Sequence, residues 1–257
     1  VFSLSSDRKW VMETVNSDKA WKEYGNKNAY FGVLSHDLFQ DGNLSDERIK
    51  EFFDTGFGHV DGIFKIIEDK FQPNFSPDSV LDFGCGTGRL AIPFASRAKN
   101  VVGLDISTGM LEEAKKNAEK YQLDNISFRL SDDDFSEIQG ERFDLVNSFI
   151  VLQHINVGRG MKMIGRMLDF LNEGGIGVIQ VIYYSKRSWI YRSADYLRYR
   201  IPLLHTLLNA ITGRPISEPL MQMNRYDLNE LFFLLQEKGI TNTLTLFENQ
   251  GDFLSTS

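Results

Sequence analysis

The chain has 257 residues, a formal net charge of −7 and a pI near 5.2. Its length suits one large α/β domain better than two domains, and its acidity argues against a nucleic-acid partner, because phosphate binding depends on clustered Lys and Arg. The single cysteine excludes an internal disulfide framework and fits a reducing, cytoplasmic compartment, and no run of about 20 apolar residues predicts a membrane span.

Residues 1–75 are rich in aromatic side chains and precede the first predicted strand. Apolar residues recur at helical spacing over residues 46–53 and 59–71, which predicts a helical segment that caps the rest of the chain. Most of these aromatics are expected to pack this segment onto the sheet. Tyr30 and His59 are the two side chains that we expect at a pocket, because each sits where a helical cap faces the carboxyl ends of the strands.

The stretch over residues 79–90, SVLDFGCGTGRL, predicts a buried strand, a glycine turn and the start of a helix. Glycines at alternate positions, Gly84, Gly86 and Gly88, let the backbone turn sharply and leave room for a ligand. A dinucleotide fingerprint counted from Gly84 would need a third glycine where Arg89 stands, and the Gly-Lys-Ser/Thr of a P-loop is missing. The spacing therefore disfavours both a nicotinamide-dependent dehydrogenase and a P-loop nucleotide site.

The motif Asp-Phe-Gly-Cys-Gly-Thr-Gly at residues 82–88 resembles the first motif of the class I S-adenosylmethionine-dependent methyltransferases. Later elements agree with this resemblance, which extends over roughly residues 75–183. Strands are predicted over residues 101–106, 125–131, 143–149 and 176–183. The resemblance implies a doubly wound, mostly parallel sheet of seven strands in a Rossmann-like α/β fold. It also places a methyltransferase domain at residues 76–257, after a helical cap at residues 1–75.

The resemblance further assigns residues to the cofactor, S-adenosylmethionine, and to its product, S-adenosylhomocysteine. Asp105 ends the second strand, 23 residues after Asp82, where one carboxylate accepts hydrogen bonds from both ribose hydroxyls. Ile106 supplies an apolar wall for the adenine, and Asp132 or Asp133 meets its exocyclic amine unless the acids there form a solvated turn. The other cofactor candidates lie in the glycine turn and at the end of the fourth strand: Asp82, Gly84, Cys85, Gly86, Gly88, Ser148 and Phe149.

Two histidines are candidate general bases for an oxygen acceptor. His154 follows the end of the fourth strand, which in this family faces the methyl group, and an unperturbed pKa near 6.5 suits proton transfer at neutral pH. A structural role, with the ring bonded to a backbone carbonyl, is the alternative for His154. His59 is the second candidate. We expect no metal, because Asn147 and Ser148 stand where a metal-dependent enzyme would place carboxylates, and we interpret Cys85 as a small loop residue and not a nucleophile.

Residues 184–224 interrupt the expected alternation of strands and helices with a basic, aromatic insertion. An insertion after the fifth strand is placed to cover the active site as a lid. Tyr183 and Trp189 therefore join Tyr30 as candidate substrate-binding residues. A dimer contact or a membrane-surface contact is the competing interpretation.

The last part of the chain predicts an amphipathic helix over residues 227–238 and an antiparallel hairpin from residues 241–248 and 253 onward. The chain opens on Val1 and not on Met, and it stops at a pattern typical of the start of a strand. We therefore expect both ends to be incomplete.

Together these patterns predict an enzyme that transfers a methyl group from S-adenosylmethionine to an oxygen or nitrogen of a small-molecule acceptor, without a metal. For an in-line displacement, the protein mainly has to align the nucleophile with the methyl group and to exclude water. The composition of the cap and the insertion favours a flat or amphipathic acceptor. A non-catalytic S-adenosylmethionine-binding module that acts with a partner protein is the alternative, and the oligomeric state stays open.

Overall fold

The computed structural model describes residues 17–27, 29–34, 44–188, 197, 202–211 and 221–257. Its helices are α1 (Ser17–Lys27), α2 (Ala29–Val33), α3 (Asp46–Lys70), α4 (Ala91–Ala95), α5 (Thr108–Lys120), α6 (Val157–Asp169), α7 (Pro202–Ile211) and α8 (Leu228–Glu237). Its strands are β1 (Ser79–Phe83), β2 (Asn100–Asp105), β3 (Ile126–Leu130), β4 (Phe143–Ser148), β5 (Leu171–Ile179), β6 (Val181–Ser185), β7 (Phe247–Gln250) and β8 (Phe253–Thr256). In these ranges, no helix combines the length and the apolar character needed to cross a membrane.

Five strands form one parallel sheet in the order β3-β2-β1-β4-β5, with helices on both faces. On one face Val80 and Val101 pack with side chains of α3, α4 and α5. On the other face Leu81 and Val102 pack with side chains of α6 and α8. Burial on both faces explains why these strands are nearly continuous apolar runs in the sequence. The predicted doubly wound, Rossmann-like α/β fold is confirmed.

The predicted sheet of seven strands is wrong in its strand count. Gln180 separates β5 from β6, and β7 and β8 join β6 in a second, antiparallel sheet of order β6-β8-β7. The strand predicted over residues 176–183 is therefore two strands with a break between them. The Gln180 backbone N–H still donates to the Ser148 carbonyl oxygen (2.9 Å), which holds the break beside β4. The predicted terminal hairpin is present as β7 and β8, but its first strand covers Phe247–Gln250 and not residues 241–248.

Side chains at the helix N-termini explain where the longer helices begin. The Ser45 hydroxyl accepts a hydrogen bond from the Arg48 N–H at the start of α3 (3.3 Å), and Asp227 caps α8 in the same way. Ser107 caps α5. Each cap satisfies a backbone donor that the first turn leaves without a partner. The two helical segments predicted over residues 46–71 form the single helix α3.

The N-terminal helices α1 and α2 pack against α5, and close backbone contact between α1 and α5 depends on glycine. A Cβ atom at Gly25 would lie 2.0 Å from the Ser107 Oγ, and one at Gly109 would lie 2.6 Å from the Gly25 carbonyl oxygen. This contact brings α1 to the end of the sheet where β1 and β2 finish. The boundary between a cap at residues 1–75 and a domain at residues 76–257 stays a prediction, as does the lid, because most of residues 184–224 lie outside the described ranges.

We predict opposite effects for the same substitution at two helical glycines. Gly25→Ala is expected to lower the free energy of unfolding by about 1–3 kcal/mol, because its Cβ would force α1 away from α5. Gly62→Ala in α3 meets nothing within 4 Å and is expected to raise that free energy by about 0.5–1 kcal/mol through helix propensity. Urea unfolding of both variants measures the difference. Equal stabilisation by the two substitutions would contradict the described packing of α1.

Candidate active site

The glycine turn after β1 adopts a conformation that favours glycine at each of its three alternate positions. Gly84, Gly86 and Gly88 have φ angles of 75°, 53° and 88°. A Cβ at Gly84 would lie 2.3 Å from the Val151 Cγ2, and one at Gly86 would lie 2.5 Å from the Val33 Cγ2. The turn is therefore tightly enclosed by the segment after β4 on one side and by α2 on the other.

Asp105, at the end of β2, ties this turn to the start of α5. Its Oδ2 accepts a hydrogen bond from the Gly86 N–H (3.0 Å), and its Oδ1 accepts one from the Ser107 N–H (2.8 Å). Burial raises the pKa of Asp105 to about 6, although these backbone donors oppose the shift. Each carboxylate oxygen keeps acceptor capacity beyond its backbone bond, so Asp105 is equipped to receive two hydroxyl donors from a ligand.

Asp82, in β1, is fully enclosed beneath the turn. The Asn147 side-chain amide donates to its Oδ1 (2.7 Å), and burial raises the pKa of Asp82 to about 6. The Asn147 Oδ1 and the Ser148 Oγ are buried without a hydrogen-bond partner among the described residues. Polar atoms thus gather under the glycine turn at the junction of β1 and β4.

The cavity beside the turn joins the ends of β1, β2 and β4 to the N-terminal helices. It encloses about 810 Å³ of empty space, part of it open to solvent. From the β4 side its wall is formed by Phe149, Ile150 and Val151. Ile150 has a φ of 61°, which is strained for a β-branched residue, and its N–H donates to the Gln180 Oε1 (2.8 Å). Gln180, at the break between β5 and β6, therefore fixes the shape of this wall.

His154 faces the same cavity as a neutral imidazole. Its Nδ1 lies 2.8 Å from the Gln222 carbonyl oxygen. Because a carbonyl only accepts, we assign the proton to Nδ1, which leaves Nε2 as a base. Burial lowers the pKa of His154 to about 4 against the effect of that hydrogen bond, so the ring carries no charge at neutral pH. The ring of Trp21, from α1, meets the imidazole edge-on with 4.9 Å between centroids.

An ion-pair bridge holds α1 to the other side of the cavity. Arg159, in α6, lines the cavity and donates from Nη1 to the Asp18 Oδ1 (2.6 Å). Its Nε and Nη2 donate to the Asp133 Oδ1 (2.8 and 2.5 Å). The bridge connects α1, α6 and the loop after β3, so three separate parts of the chain meet at one edge of the cavity.

Residues 80–175 match the family model described as a methyltransferase domain. This segment is a methyltransferase domain, which is consistent with the resemblance to the class I S-adenosylmethionine-dependent methyltransferases. A ubiquinone biosynthesis O-methyltransferase of Coxiella burnetii (strain Dugway 5J108-111) is 30% identical over 125 residues, which are 48% of this chain and 52% of the relative. This chain therefore spans about half the length of that curated relative.

Two further comparisons concern a relative that matches a short segment of the chain and a solved structure. A 23S rRNA (uracil(1939)-C(5))-methyltransferase RlmD of Aliivibrio fischeri (strain ATCC 700601 / ES114) is 49% identical over 51 residues, 20% of this chain and 12% of the relative. The crystal structure of magnesium protoporphyrin IX methyltransferase from Synechocystis PCC 6803 with bound SAM matches with a TM-score of 0.56 and 18% identity, over 95% of this chain and 98% of that chain. At that identity the likeness shows the fold alone.

The methyltransferase domain brings several of the predicted site residues together around the cavity. They are Gly84, Gly86, Asp105, Ile106, Asp132, Phe149 and His154. Asp132 also organises its own loop, because its Oδ1 accepts from the backbone N–H groups of Asp134 and Ser136 (3.0 Å each). These residues come from four strand ends, which is why spacing in the sequence alone does not show their proximity.

Other predicted cofactor residues lie beside the cavity and do not line it. Asp82, Gly88 and Ser148 belong to the turn and strands behind its wall. Cys85 packs into the core between β1 and α5, and burial raises the pKa of its thiol. Asp133 is exposed and bound to Arg159. A direct role for these side chains at the cofactor stays a prediction.

Two of the candidate substrate residues, Tyr30 and Tyr183, do not line the cavity. The Tyr30 hydroxyl donates to the Asn117 Oδ1 (2.9 Å) within the contact between α2 and α5. The Tyr183 ring, on β6, packs against Phe247 with 5.7 Å between centroids. Trp189 lies outside the described residues. His59, the second candidate base, does not line the cavity either: its ring contacts Phe149 in a tilted arrangement and it lines a second, apolar groove between α3, β5 and α8.

Trp21, Val33 and Arg159 are among the cavity residues that the sequence did not indicate. Trp21 and Val33 belong to an aromatic-rich segment without a distinctive motif, and Arg159 is one charge on an otherwise ordinary amphipathic helix. The glycines at residues 25 and 32 are the sequence feature that could have indicated this packing, because a glycine inside a helix often marks close contact with another element.

Proposed function

We propose that this chain transfers a methyl group from S-adenosylmethionine to an oxygen or nitrogen of a small-molecule acceptor. The observation that carries the proposal is that one cavity joins the glycine turn and Asp105 to the end of β4 and His154. The residues fit the cofactor: Asp105 and Ile106 line the cavity beside the glycine turn, and the Asp105 carboxylate keeps acceptor capacity for two hydroxyl donors. When bound, S-adenosylmethionine supplies a methyl group already activated by its sulfonium.

The chain's own residues then have three tasks. Asp105 and Ile106 hold and orient the nucleoside part of the cofactor. Phe149 and Ile150 form an apolar wall that keeps water from the reacting centre, which in-line displacement requires. The Nε2 of His154, left unprotonated by the hydrogen bond of Nδ1, accepts the proton of the acceptor. No metal is needed to polarise the methyl group, and metal independence is part of the proposal.

A small-molecule acceptor is supported by the relatives and by the charge of the chain. The Coxiella relative is named for ubiquinone biosynthesis and the Synechocystis neighbour for magnesium protoporphyrin IX, and both names denote small molecules. The rRNA methyltransferase matches over only 20% of this chain. A net charge of −7 disfavours an RNA substrate, because binding to RNA depends on neutralising phosphates.

The test is a transfer assay with S-adenosylmethionine labelled in its methyl group. Purified protein is incubated with panels of phenols, carboxylic acids and amines, and both labelled product and S-adenosylhomocysteine are quantified by mass spectrometry. We expect equal amounts of the two with at least one acceptor. Binding of S-adenosylmethionine with no transfer to any acceptor, together with a stable protein partner, would instead support a non-catalytic binding module.

A further inference from the structure

Arg89 is a buried cation whose position is fixed by the packing of α3 on the glycine turn. It follows Gly88 directly, is 5% exposed, and lines the cavity. A Cβ at Gly56 of α3 would lie 2.1 Å from the Arg89 carbonyl oxygen, so the backbone there has little freedom. The Arg89 backbone is therefore packed closely against α3, and its side chain is buried at the cavity.

The guanidinium is poorly satisfied by the protein itself. Its Nη1 donates to the Thr55 Oγ1 at 3.5 Å, the limit of a hydrogen bond, and its Nε has no partner among the described residues. In the described part of the chain no carboxylate forms an ion pair with it. Asp82 attracts it electrostatically, but the Asp82 carboxylate is bound by the Asn147 amide. A buried charge left in this state is costly and calls for another partner.

The aromatic rings near Arg89 supply no negative charge to balance the guanidinium. The guanidinium carbon lies 5.7 Å from the centroid of the Phe149 ring, and the His59 ring stacks on Phe149 at 3.9 Å. Burial and the Arg89 charge lower the pKa of His59 to about 4, so His59 adds no second charge, and its Nε2 is buried without a partner. Burial also lowers the pKa of Arg89 to about 10, at which it stays cationic at neutral pH.

We propose that Arg89 binds a carboxylate group of a ligand in this cavity, with its unpartnered Nε among the donors. A carboxylate can accept two parallel hydrogen bonds from a guanidinium, and it supplies the negative charge that no ion pair in the described part of the chain provides. The inference rests on the proposed function, in which two ligands share the cavity. Either the methionyl carboxylate of the cofactor or a carboxylate of the acceptor provides this group, and the two sources are distinguishable.

The first measurement compares Arg89→Met with Arg97→Met, a control that removes a surface arginine paired with Asp61 outside the cavity. Without ligand, Arg89→Met is expected to keep or raise the thermal midpoint of unfolding, because it removes a buried charge that has no partner. A structural arginine would instead lower that midpoint. Arg89→Lys, which keeps the charge but not the planar fork, provides a second variant if the methionine variant does not fold.

Titration calorimetry then separates the two sources of the carboxylate. If it belongs to the cofactor, Arg89→Met weakens S-adenosylhomocysteine binding by about tenfold or more and leaves 5′-methylthioadenosine, which lacks the amino acid, unaffected. If it belongs to the acceptor, both nucleosides bind as before. Benzoate, but not benzamide, then stabilises the S-adenosylhomocysteine-saturated wild-type protein, and Arg89→Met abolishes that effect. Either result supports the proposal.

The proposal is overturned if S-adenosylhomocysteine binds the wild-type protein and neither it nor benzoate distinguishes Arg89→Met from Arg97→Met. The proposed function would survive that outcome. Failure of the wild-type protein to bind S-adenosylhomocysteine at all would overturn both, because the cavity would then not be a cofactor site.

Discussion

Replacement of His154 by asparagine is expected to lower methyl transfer to an oxygen acceptor by about 100-fold or more while leaving S-adenosylhomocysteine affinity nearly unchanged. The Nδ1 of His154 donates to the Gln222 carbonyl oxygen (2.8 Å), and the asparagine amide reproduces that donor. The substitution removes only Nε2, the atom that we propose as the base. Single-turnover rates, measured with saturating S-adenosylmethionine, report the chemical step directly.

The matched control is His154→Gln, which places an amide near the position of Nε2 and loses the donor to Gln222. A structural role for His154 predicts that His154→Gln unfolds at a lower temperature and that His154→Asn keeps the wild-type rate. A base predicts that both variants are slow and that only His154→Gln is destabilised. Because the pKa of His154 is about 4, its protonation slows the wild-type enzyme only near and below that pH.

The parts of this fold that are encoded locally were predictable from the sequence. The strand, turn and helix at residues 79–95 follow from apolar runs, alternate glycines and the requirement for positive φ, and the structure shows all three. Asp105 was predictable for the same reason, since it ends an apolar strand and precedes Ser107, a good helix N-cap. Parallel strands bring their carboxyl ends to one edge, so Asp105 had to lie near the glycine turn.

The parts that depend on tertiary contact were not predictable from spacing. Arg159 binds Asp18 across 141 positions, and nothing local to either residue indicates the pairing. The break at Gln180 is another case, because the residue lies inside an apolar run that predicts one continuous strand. Its side chain accepts a hydrogen bond from the Ile150 N–H, and this tertiary contact accompanies the break. Tyr30 shows the same limit, because its hydroxyl donates to Asn117 within the packing of α2 on α5 and nothing in its local sequence indicates that partner.

Asp105→Asn is expected to raise the dissociation constant for S-adenosylhomocysteine by about 100-fold. The carboxylate accepts from the Gly86 and Ser107 N–H groups (3.0 and 2.8 Å) and, as we propose, from the ribose hydroxyls. An asparagine has one acceptor oxygen, and its amide would face a backbone donor. Calorimetry measures the change, and Asp124→Asn, at an exposed position after α5, is the control that should bind normally.

We expect the ionisation of the Asp105 carboxylate to make cofactor affinity depend on pH. The ionised form binds the hydroxyls, and burial raises the pKa of Asp105 to about 6, so wild-type affinity should weaken as pH falls through about 6. Asp82 has a pKa near the same value and adds to the loss. Asp132 stays ionised, because the Ser136 backbone N–H lowers its pKa. His154 in the cavity and His59 outside it, with pKa values of about 4, stay neutral above pH 5. Asp105→Asn should therefore give a flatter profile between pH 5 and 7 than the wild-type protein. Equal slopes for the two proteins would assign the pH dependence to Asp82 alone and would remove Asp105 from the ribose site.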